Sequence, residues 1–128
     1  MRTLVIVDAA NVVGSVPDGW WRDRRGAAER LRDELVGVAE AGVPGHPGPV
    51  ELVLVVEGAA RGVKSVPHVR VVSAPGSGDD EVVELASERP EGLPCVVVTA
   101  DRELRRRVEA HGCETMGPRT VQPRRERT

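Results

Sequence analysis

The chain has 128 residues, the size of one typical domain, and a formal net charge of −2 at pH 7, so it is not a nucleic-acid or membrane binder by overall charge. Its only aromatic residues are two tryptophans, which argues against the aromatic sheets of RNA-recognition domains. The sequence has no apolar run of membrane-spanning length, no signal-peptide pattern and no CxxC spacing of its two cysteines, so we expect a reduced, cytoplasmic protein without membrane contact.

The first predicted element is a strand that ends in an acid. The run Leu4-Val5-Ile6-Val7 ends in Asp8, and a continuous apolar run of this kind is typical of a strand buried on both faces of a parallel sheet. Ligands bind at the carboxyl ends of such strands. Because Gly14 and Pro17 follow, we expect no helix directly after Asp8, so helix capping does not explain this acid.

Strands and helices alternate along the rest of the chain. Apolar spacing predicts a helix over 27–39, a Gly- and Pro-rich loop over 42–49, a helix from 79 and a helix over 102–111. Further strands are predicted at 50–56, at 69–72 near a sheet edge, at 94–99 and at 113–116. This alternation predicts a single α/β domain over 1–117, with a mainly parallel sheet of four or five strands flanked by helices. The polar, Arg-rich segment 118–128 is expected to be a frayed, flexible tail.

Acidic residues follow most of these strands. Asp8, Glu57 and Asp101 come directly after, or close to, the ends of three strands, and Asp79-Asp80 opens the helix after the 69–72 strand. In a parallel sheet these groups converge at one edge. Asp79 lies three and four positions before the apolar Val82 and Val83, so we expect it to face inward, while Asp80 points sideways and is the second choice.

Converging carboxylates repel each other, and a hard divalent cation relieves that repulsion. We therefore predict a Mg²⁺ or Mn²⁺ site with Asp8, Asp79 and Asp101 as ligands, holding one ion or two. Such an ion activates water and neutralises charge on a phosphate. Asn11 is a candidate to hydrogen-bond a ligand carboxylate or the phosphate.

Each of these residues also has a simpler interpretation. Acids at helix N-termini often only cap the helix, and Glu57 alone is more typical of a solvated loop acid. Basic side chains near the acids are candidate phosphate contacts, with a solvated helix face as the alternative. These are Arg61, Lys64, Arg102 and Arg105. Trp20 and Trp21 are either base-stacking residues or, for one of them, packed under the 27–39 helix.

Four segments together resemble a known family. They are VDAANVVGS (7–15), VEGAAR (56–61), GSGDDEV (76–82) and VVTADRELRRRVEAHG (97–112). In order and spacing they resemble the motifs of the NYN branch of PIN-like nucleases, and of its YacP-like group in particular. The resemblance implies a Rossmann-like PIN fold and a metal-dependent ribonuclease with Asp8, Asp79 (beside Asp80) and Asp101 around the ion.

The sequence departs from that family pattern in two places. Glu57 stands where an aspartate is usual, and the chain ends soon after the last strand, where some relatives continue. We therefore expect residues that help RNA or ribosome docking to be missing here or supplied by a partner.

The leading hypothesis is a Mg²⁺- or Mn²⁺-dependent endoribonuclease acting on single-stranded RNA, such as ribosome-associated mRNA or tRNA. The alternative is a non-catalytic RNA- or protein-binding module with the same fold. An aspartyl-phosphate phosphotransferase is disfavoured because Ala10 stands where that chemistry needs a second aspartate. Gly-rich phosphate loops and a nucleophile elbow are absent from the sequence. The oligomeric state is not indicated.

Overall fold

The structure is a computed structural model that describes residues 2–122. The strands in that range are β1 (Leu4–Asp8), β2 (Gly42–Val43), β3 (His46–Pro47), β4 (Glu51–Val56), β5 (Val69–Ser73), β6 (Cys95–Val98) and β7 (Glu114–Met116). The α-helices are α1 (Ala9–Gly14), α2 (Arg24–Ala41), α3 (Gly78–Glu88) and α4 (Arg102–Glu109). None of the described helices is long and apolar enough to cross a membrane.

Five of these strands form one parallel sheet in the order β5-β4-β1-β6-β7. The predicted α/β class, with a mainly parallel sheet flanked by helices, is confirmed. Strand β1 lies at the centre, and every one of its residues is buried. From β1 the chain passes to β4 and β5 on one side, whereas β6 leads to β7 on the other. The strand order therefore reverses between β1 and β6, and the crevice at such a reversal is where ligands bind in open parallel sheets.

Alternation along β1 decides which helices its residues meet. Val5 and Val7 belong to the core beneath α1 and α2, whereas Leu4 and Ile6 belong to the core beneath α3 and α4. Successive side chains of a strand point to opposite faces. Asp8 continues the alternation of Leu4 and Ile6, so it emerges on the side of α3 and α4, where two of the predicted acids begin their helices.

The expectation that no helix follows Asp8 is wrong, because α1 begins at Ala9. The helix has six residues, fewer than two turns, so it shows no apolar periodicity in the sequence. It is stabilised by burial of Ala9 and Val12 in the core. Asp8 occupies the N-cap position, but its side chain makes no capping hydrogen bond.

Two smaller predictions also differ from the structure. The predicted 42–49 loop contains a two-stranded antiparallel ribbon of β2 and β3. The predicted tail from Pro118 is ordered over its described part, where Pro118–Thr120 form a 3₁₀ turn and Val121 packs into the core beneath α1 and α2. Gln122 is also buried, and its side-chain amide donates to Glu34 at 3.1 Å. The rest of the predicted tail, 123–128, lies outside the described residues.

Candidate active site

The acids predicted to converge lie at the carboxyl edge of the sheet. Asp8 ends β1, Glu57 follows β4 directly, and Asp101 precedes α4. Asp8 is almost fully buried, with 5% of its surface exposed. The pKa of Asp8 is raised to about 6, chiefly by burial and also by the charges of Asp79 and Glu57, against the lowering effect of its hydrogen bond with Thr99. Its carboxylate is therefore close enough to both acids to feel their charge.

Asp79 is the inward-facing member of the Asp79-Asp80 pair, as predicted. Burial raises the pKa of Asp79, with further contributions from the charges of Asp101 and Glu57. Asp80 is exposed and lies 2.9 Å (Oδ1) from Nη2 of Arg107. That hydrogen bond and the positive charge of Arg107 lower the pKa of Asp80. The structure thus places Asp79 with the other acids and turns Asp80 towards α4.

No ion pair within residues 2–122 involves Asp8, Glu57, Asp79 or Asp101. The same range contains no group of three or more His, Cys, Asp or Glu side chains arranged to hold one metal ion. The four acids, here called the acidic cluster, are therefore electrostatically coupled without forming a closed cage of ligands. The predicted metal site stays a prediction.

Thr99 connects two members of the acidic cluster, Asp8 and Asp101. It was not identified as a site residue from the sequence. Its hydroxyl donates to Oδ2 of Asp8 at 3.1 Å and accepts from the backbone N–H of Asp101 at 3.2 Å. Thr99 is completely buried. A hydroxyl supplies one donor and two acceptor positions, so this one side chain connects the ends of β1 and β6. In the sequence it looks like the last β-branched residue of a strand.

Asp101 has a capping role in addition to its place in the acidic cluster. Its Oδ1 accepts from the backbone N–H of Leu104 at 3.0 Å, so it is the N-cap of α4. The simpler interpretation, that an acid at a helix N-terminus caps the helix, is therefore correct for Asp101. Capping uses only one of its two carboxylate oxygens. Capping also fixes the direction of the carboxylate, and its charge still reaches Asp79.

Glu57 is not a solvated loop acid. It is half-buried, and its Oε1 accepts from the backbone N–H of Gly78, the first residue of α3, at 2.7 Å. A Cβ atom added at Gly78 would overlap the Glu57 carboxylate. Glu57 therefore joins the end of β4 to the start of α3 and so positions Asp79. Because Gly78 and Glu57 are 21 positions apart, the sequence pattern shows no sign of this contact.

The side chain of Asn11 bridges the chain segments that follow β1 and β6. Its Oδ1 accepts from the backbone N–H of Ala100 at 2.8 Å. Its amide oxygen thus ties α1 to the loop after β6. Among the described residues, no side-chain hydrogen bond joins Asn11 to a carboxylate of the acidic cluster.

The predicted phosphate-binding residues differ in where they lie. Arg102 is exposed and follows Asp101 directly. Arg61 donates to the carbonyls of Gly58 (3.3 Å) and Pro75 (3.2 Å), which bridges the loops after β4 and β5 at the carboxyl edge. Both are near the acids along the chain.

The other two predicted phosphate contacts do not lie freely beside the acids. Arg105 is half-buried and donates from Nε to the carbonyl of Thr99 at 2.8 Å, so it supports the backbone of the site. The carbonyl of Lys64 accepts from Arg32, which is halfway along α2, so that part of the loop has already left the carboxyl edge.

Comparison with known proteins gives a result for the structure only. No family model matches the sequence, and no curated protein matches it. The crystal structure of Rae1 (YacP) from Bacillus subtilis matches with a TM-score of 0.74 and 16% identity, over 98% of this chain and 74% of that chain. The chain has a YacP-like fold. A mutant of the same protein matches equally, with a TM-score of 0.74 and 15% identity, over 96% of this chain and 74% of the other.

The YacP-like fold confirms the architecture expected from the four motifs. At 15–16% identity the match establishes the fold alone. The proposed roles of Asp8, Asp79 and Asp101 therefore rest on the geometry of this chain.

Proposed function

We propose that this chain is a Mg²⁺- or Mn²⁺-dependent endoribonuclease that cleaves phosphodiester bonds in single-stranded RNA. The observation that carries the proposal is the acidic cluster, in which Asp8 and Asp79 are ionisable groups with raised pKa values and without an ion-pair partner in the described residues. Such a cluster at the strand-order reversal of a parallel sheet is more consistent with a cation site than with a stabilising feature.

The donor set fits a hard divalent cation. All four groups are carboxylates, and oxygen donors favour Mg²⁺ and Mn²⁺ over zinc. Magnesium is commonly bound by one or two carboxylates together with waters and substrate phosphates, so three converging protein ligands are not required. Asp8, Asp79 and Asp101 would hold the ion together with its bound waters. When bound, it would supply Lewis-acid activation of water and neutralise charge on the phosphate.

The chain's own groups keep the site in place. Thr99 fixes the carboxylate of Asp8, and the α4 cap fixes that of Asp101. Arg102 and Arg61 are suited to contact phosphates of the strand, which positions RNA without reading its sequence. The proposed substrate is cytoplasmic RNA, including mRNA or tRNA on the ribosome.

A second candidate function is an RNA- or protein-binding module without catalysis. The absence of three metal-holding side chains within residues 2–122 favours it, as does the capping role of Asp101.

Cleavage of labelled single-stranded RNA separates the two functions. We expect endonucleolytic products with Mn²⁺ and none with EDTA. We also expect Asp8→Asn to reduce the rate on the order of 10²-fold or more, as for the loss of a group that stabilises charge in the transition state. Asp33→Asn is the matched control, because Asp33 is an exposed acid of α2 paired with Arg32. Cleavage that Asp8→Asn leaves unchanged would refute the proposed site, and binding without cleavage would favour the module.

A further inference from the structure

A second recess opens at the carboxyl edge, on the opposite face of the sheet from the acidic cluster. Its volume is about 130 Å³, and its walls include Ala10, Trp20, Arg24 and Glu57. Glu57 belongs to both places, and Ala9, which follows Asp8, also lines the recess. This recess, here called the Trp20 cavity, therefore adjoins the acidic cluster at the ends of β1 and β4.

The Trp20 cavity is lined by the kinds of groups that bind unpaired bases. Apolar side chains of α1 and α2 form one side, and the Trp20 ring forms another. The guanidinium of Arg24 lies 5.3 Å from the centre of that ring. Proteins hold unpaired bases by stacking them on aromatic rings and on guanidinium planes. The cavity is smaller than pockets for drug-sized ligands, which hold about 300–1,000 Å³, so it suits one ring system.

The position of the aromatic residues points in the same direction. The sequence contains two aromatic side chains in total, and both are in the turn beside this cavity. Trp20 is half-buried, and its ring rests against Gly14 at the end of α1. Trp21 is 53% exposed and meets Trp20 edge-on at 6.0 Å between ring centres. Trp20 is therefore only partly covered by the rest of the protein, and part of it lines the cavity.

We propose that the Trp20 cavity binds an unpaired base of the RNA strand, stacked on Trp20 and Arg24, next to the phosphate held at the acidic cluster. This inference rests on the proposed nuclease function, since the same strand must reach both places. Glu57 belongs to both places and Ala9 follows Asp8 directly, so the cavity and the acidic cluster adjoin at the carboxyl edge of the sheet. The cavity therefore favours single strands, because a base inside a duplex is unavailable for stacking.

The test measures binding in EDTA, where no cleavage occurs. In the Trp21→Phe background, Trp20 is the one fluorescent tryptophan, and its emission is followed while a short oligoadenylate is added. An abasic phosphodiester strand of equal length is the comparison. We expect saturable quenching by the oligoadenylate and none by the abasic strand. Equal quenching by both strands would overturn the proposal.

Substitutions at Trp20 and Arg24 then test the two proposed stacking surfaces. Binding to these variants is followed by the fluorescence anisotropy of a labelled oligoadenylate, because Trp20→Leu and Trp20→Phe lack the Trp20 emission. We expect Trp20→Leu to weaken oligoadenylate binding about tenfold, the size of one base–aromatic stack, and Trp20→Phe to retain most of the affinity. Trp21→Leu is the matched control and should bind as the parent does. Arg24 is exposed, so Arg24→Gln keeps the fold and decides the question if Trp20→Leu does not fold. Arg24→Gln should weaken the binding of oligoadenylate more than that of the abasic strand. An equal loss of affinity for both strands would overturn the stacking role of Arg24.

The two proposals fail in different ways. Cleavage that depends on Asp8 but is indifferent to Trp20→Leu and Arg24→Gln would overturn the base site and leave the nuclease function intact. Base-dependent binding without any cleavage would support the cavity and overturn the catalytic proposal.

Discussion

The hydroxyl of Thr99 donates a hydrogen bond to Oδ2 of Asp8 across 91 positions of sequence. Because β1 and β6 are adjacent, this bond spans the point where the strand order reverses. It favours the charged form of a carboxyl whose burial opposes ionisation. Thr99 is therefore a positioning residue for the acid on which the proposed site depends.

Replacing Thr99 by valine tests this role. Thr99→Val keeps the shape but removes the donor, so the pKa of Asp8 should rise further. We expect cation affinity and cleavage to fall about 10- to 100-fold, as for other groups that orient metal ligands. Thr99→Ser keeps the hydroxyl and should retain most of both. The cleavage pH profile distinguishes positioning from simple damage, since it should shift to higher pH only in Thr99→Val.

Asp8 is expected to destabilise the fold when it is ionised without a cation. Its pKa is 3.8 in an unfolded chain and about 6 in the folded one. Below pH 3.8 the group is protonated in both states, and between 3.8 and 6 the unfolded state releases its proton first. Stability contributed by this group is therefore lost as pH rises through that window, by about 3 kcal/mol in total.

Urea unfolding in EDTA measures this effect. Asp8→Asn should be more stable than the parent chain above pH 6, and the difference should shrink as the pH falls towards 3.8. Asp33→Asn provides the reference for an exposed acid. A parent chain that gains stability relative to Asp8→Asn with rising pH would contradict the raised pKa.

Divalent cations should stabilise the fold through the acidic cluster. A ligand that binds only the native state adds about 2.7 kcal/mol at a hundredfold excess over its Kd. We expect Mn²⁺ and Mg²⁺ to raise the Tm of the parent chain and of Asp33→Asn, and to leave that of Asp8→Asn nearly unchanged. An equal rise in all three proteins would mean that the cations bind elsewhere, and no rise in any would remove the metal from the proposal.

Asp79 and Asp80 should differ in their contribution to activity. Asp79 lies among the acids, whereas Asp80 is exposed and paired with Arg107. We expect Asp79→Asn to lose cleavage on the order of 10²-fold, and Asp80→Asn to retain it within a few-fold. The neighbouring substitutions are matched in chemistry, so comparison of kcat for the two variants decides the assignment. A greater loss in Asp80→Asn would reverse it.

A side chain at position 78 should lower the stability of the fold. A Cβ there meets the Glu57 carboxylate that accepts from the Gly78 N–H. Gly78→Ala must displace the Glu57 carboxylate and break its hydrogen bond to the Gly78 N–H, so we expect a loss of about 1 kcal/mol in urea unfolding, the size of one hydrogen bond. Gly37→Ala is the control, since nothing lies near its Cβ position in α2. If Gly78→Ala is as stable as Gly37→Ala, the contact does not hold α3 in place.

The central strands and the acids that follow them could be predicted from the sequence, because the patterns that indicate them involve residues close together along the chain. Buried parallel strands are continuous apolar runs, so β1, β4 and β6 and the acids that follow them were predictable, and parallel pairing brings those acids to one edge. The outward turn of Asp80 also follows from helical spacing alone. A six-residue helix such as α1 gives no comparable signal, and it was missed.

The rest depended on partners that are distant along the chain. Three side chains have roles that depend on distant partners: Thr99 on Asp8, Glu57 on Gly78, and Asn11 on Ala100. The residues near them in the sequence give no sign of these contacts. Burial likewise raises the pKa of Asp8 only after both cores have closed around it. Sequence alone thus determined which residues are acidic and which strands they end. Tertiary structure decided that Asp8 is buried, that Glu57 and Asp101 also accept from helix N–H groups, and that Asp80 pairs with an arginine. Desolvation and hydrogen bonding depend on three-dimensional neighbours, which the sequence pattern does not show.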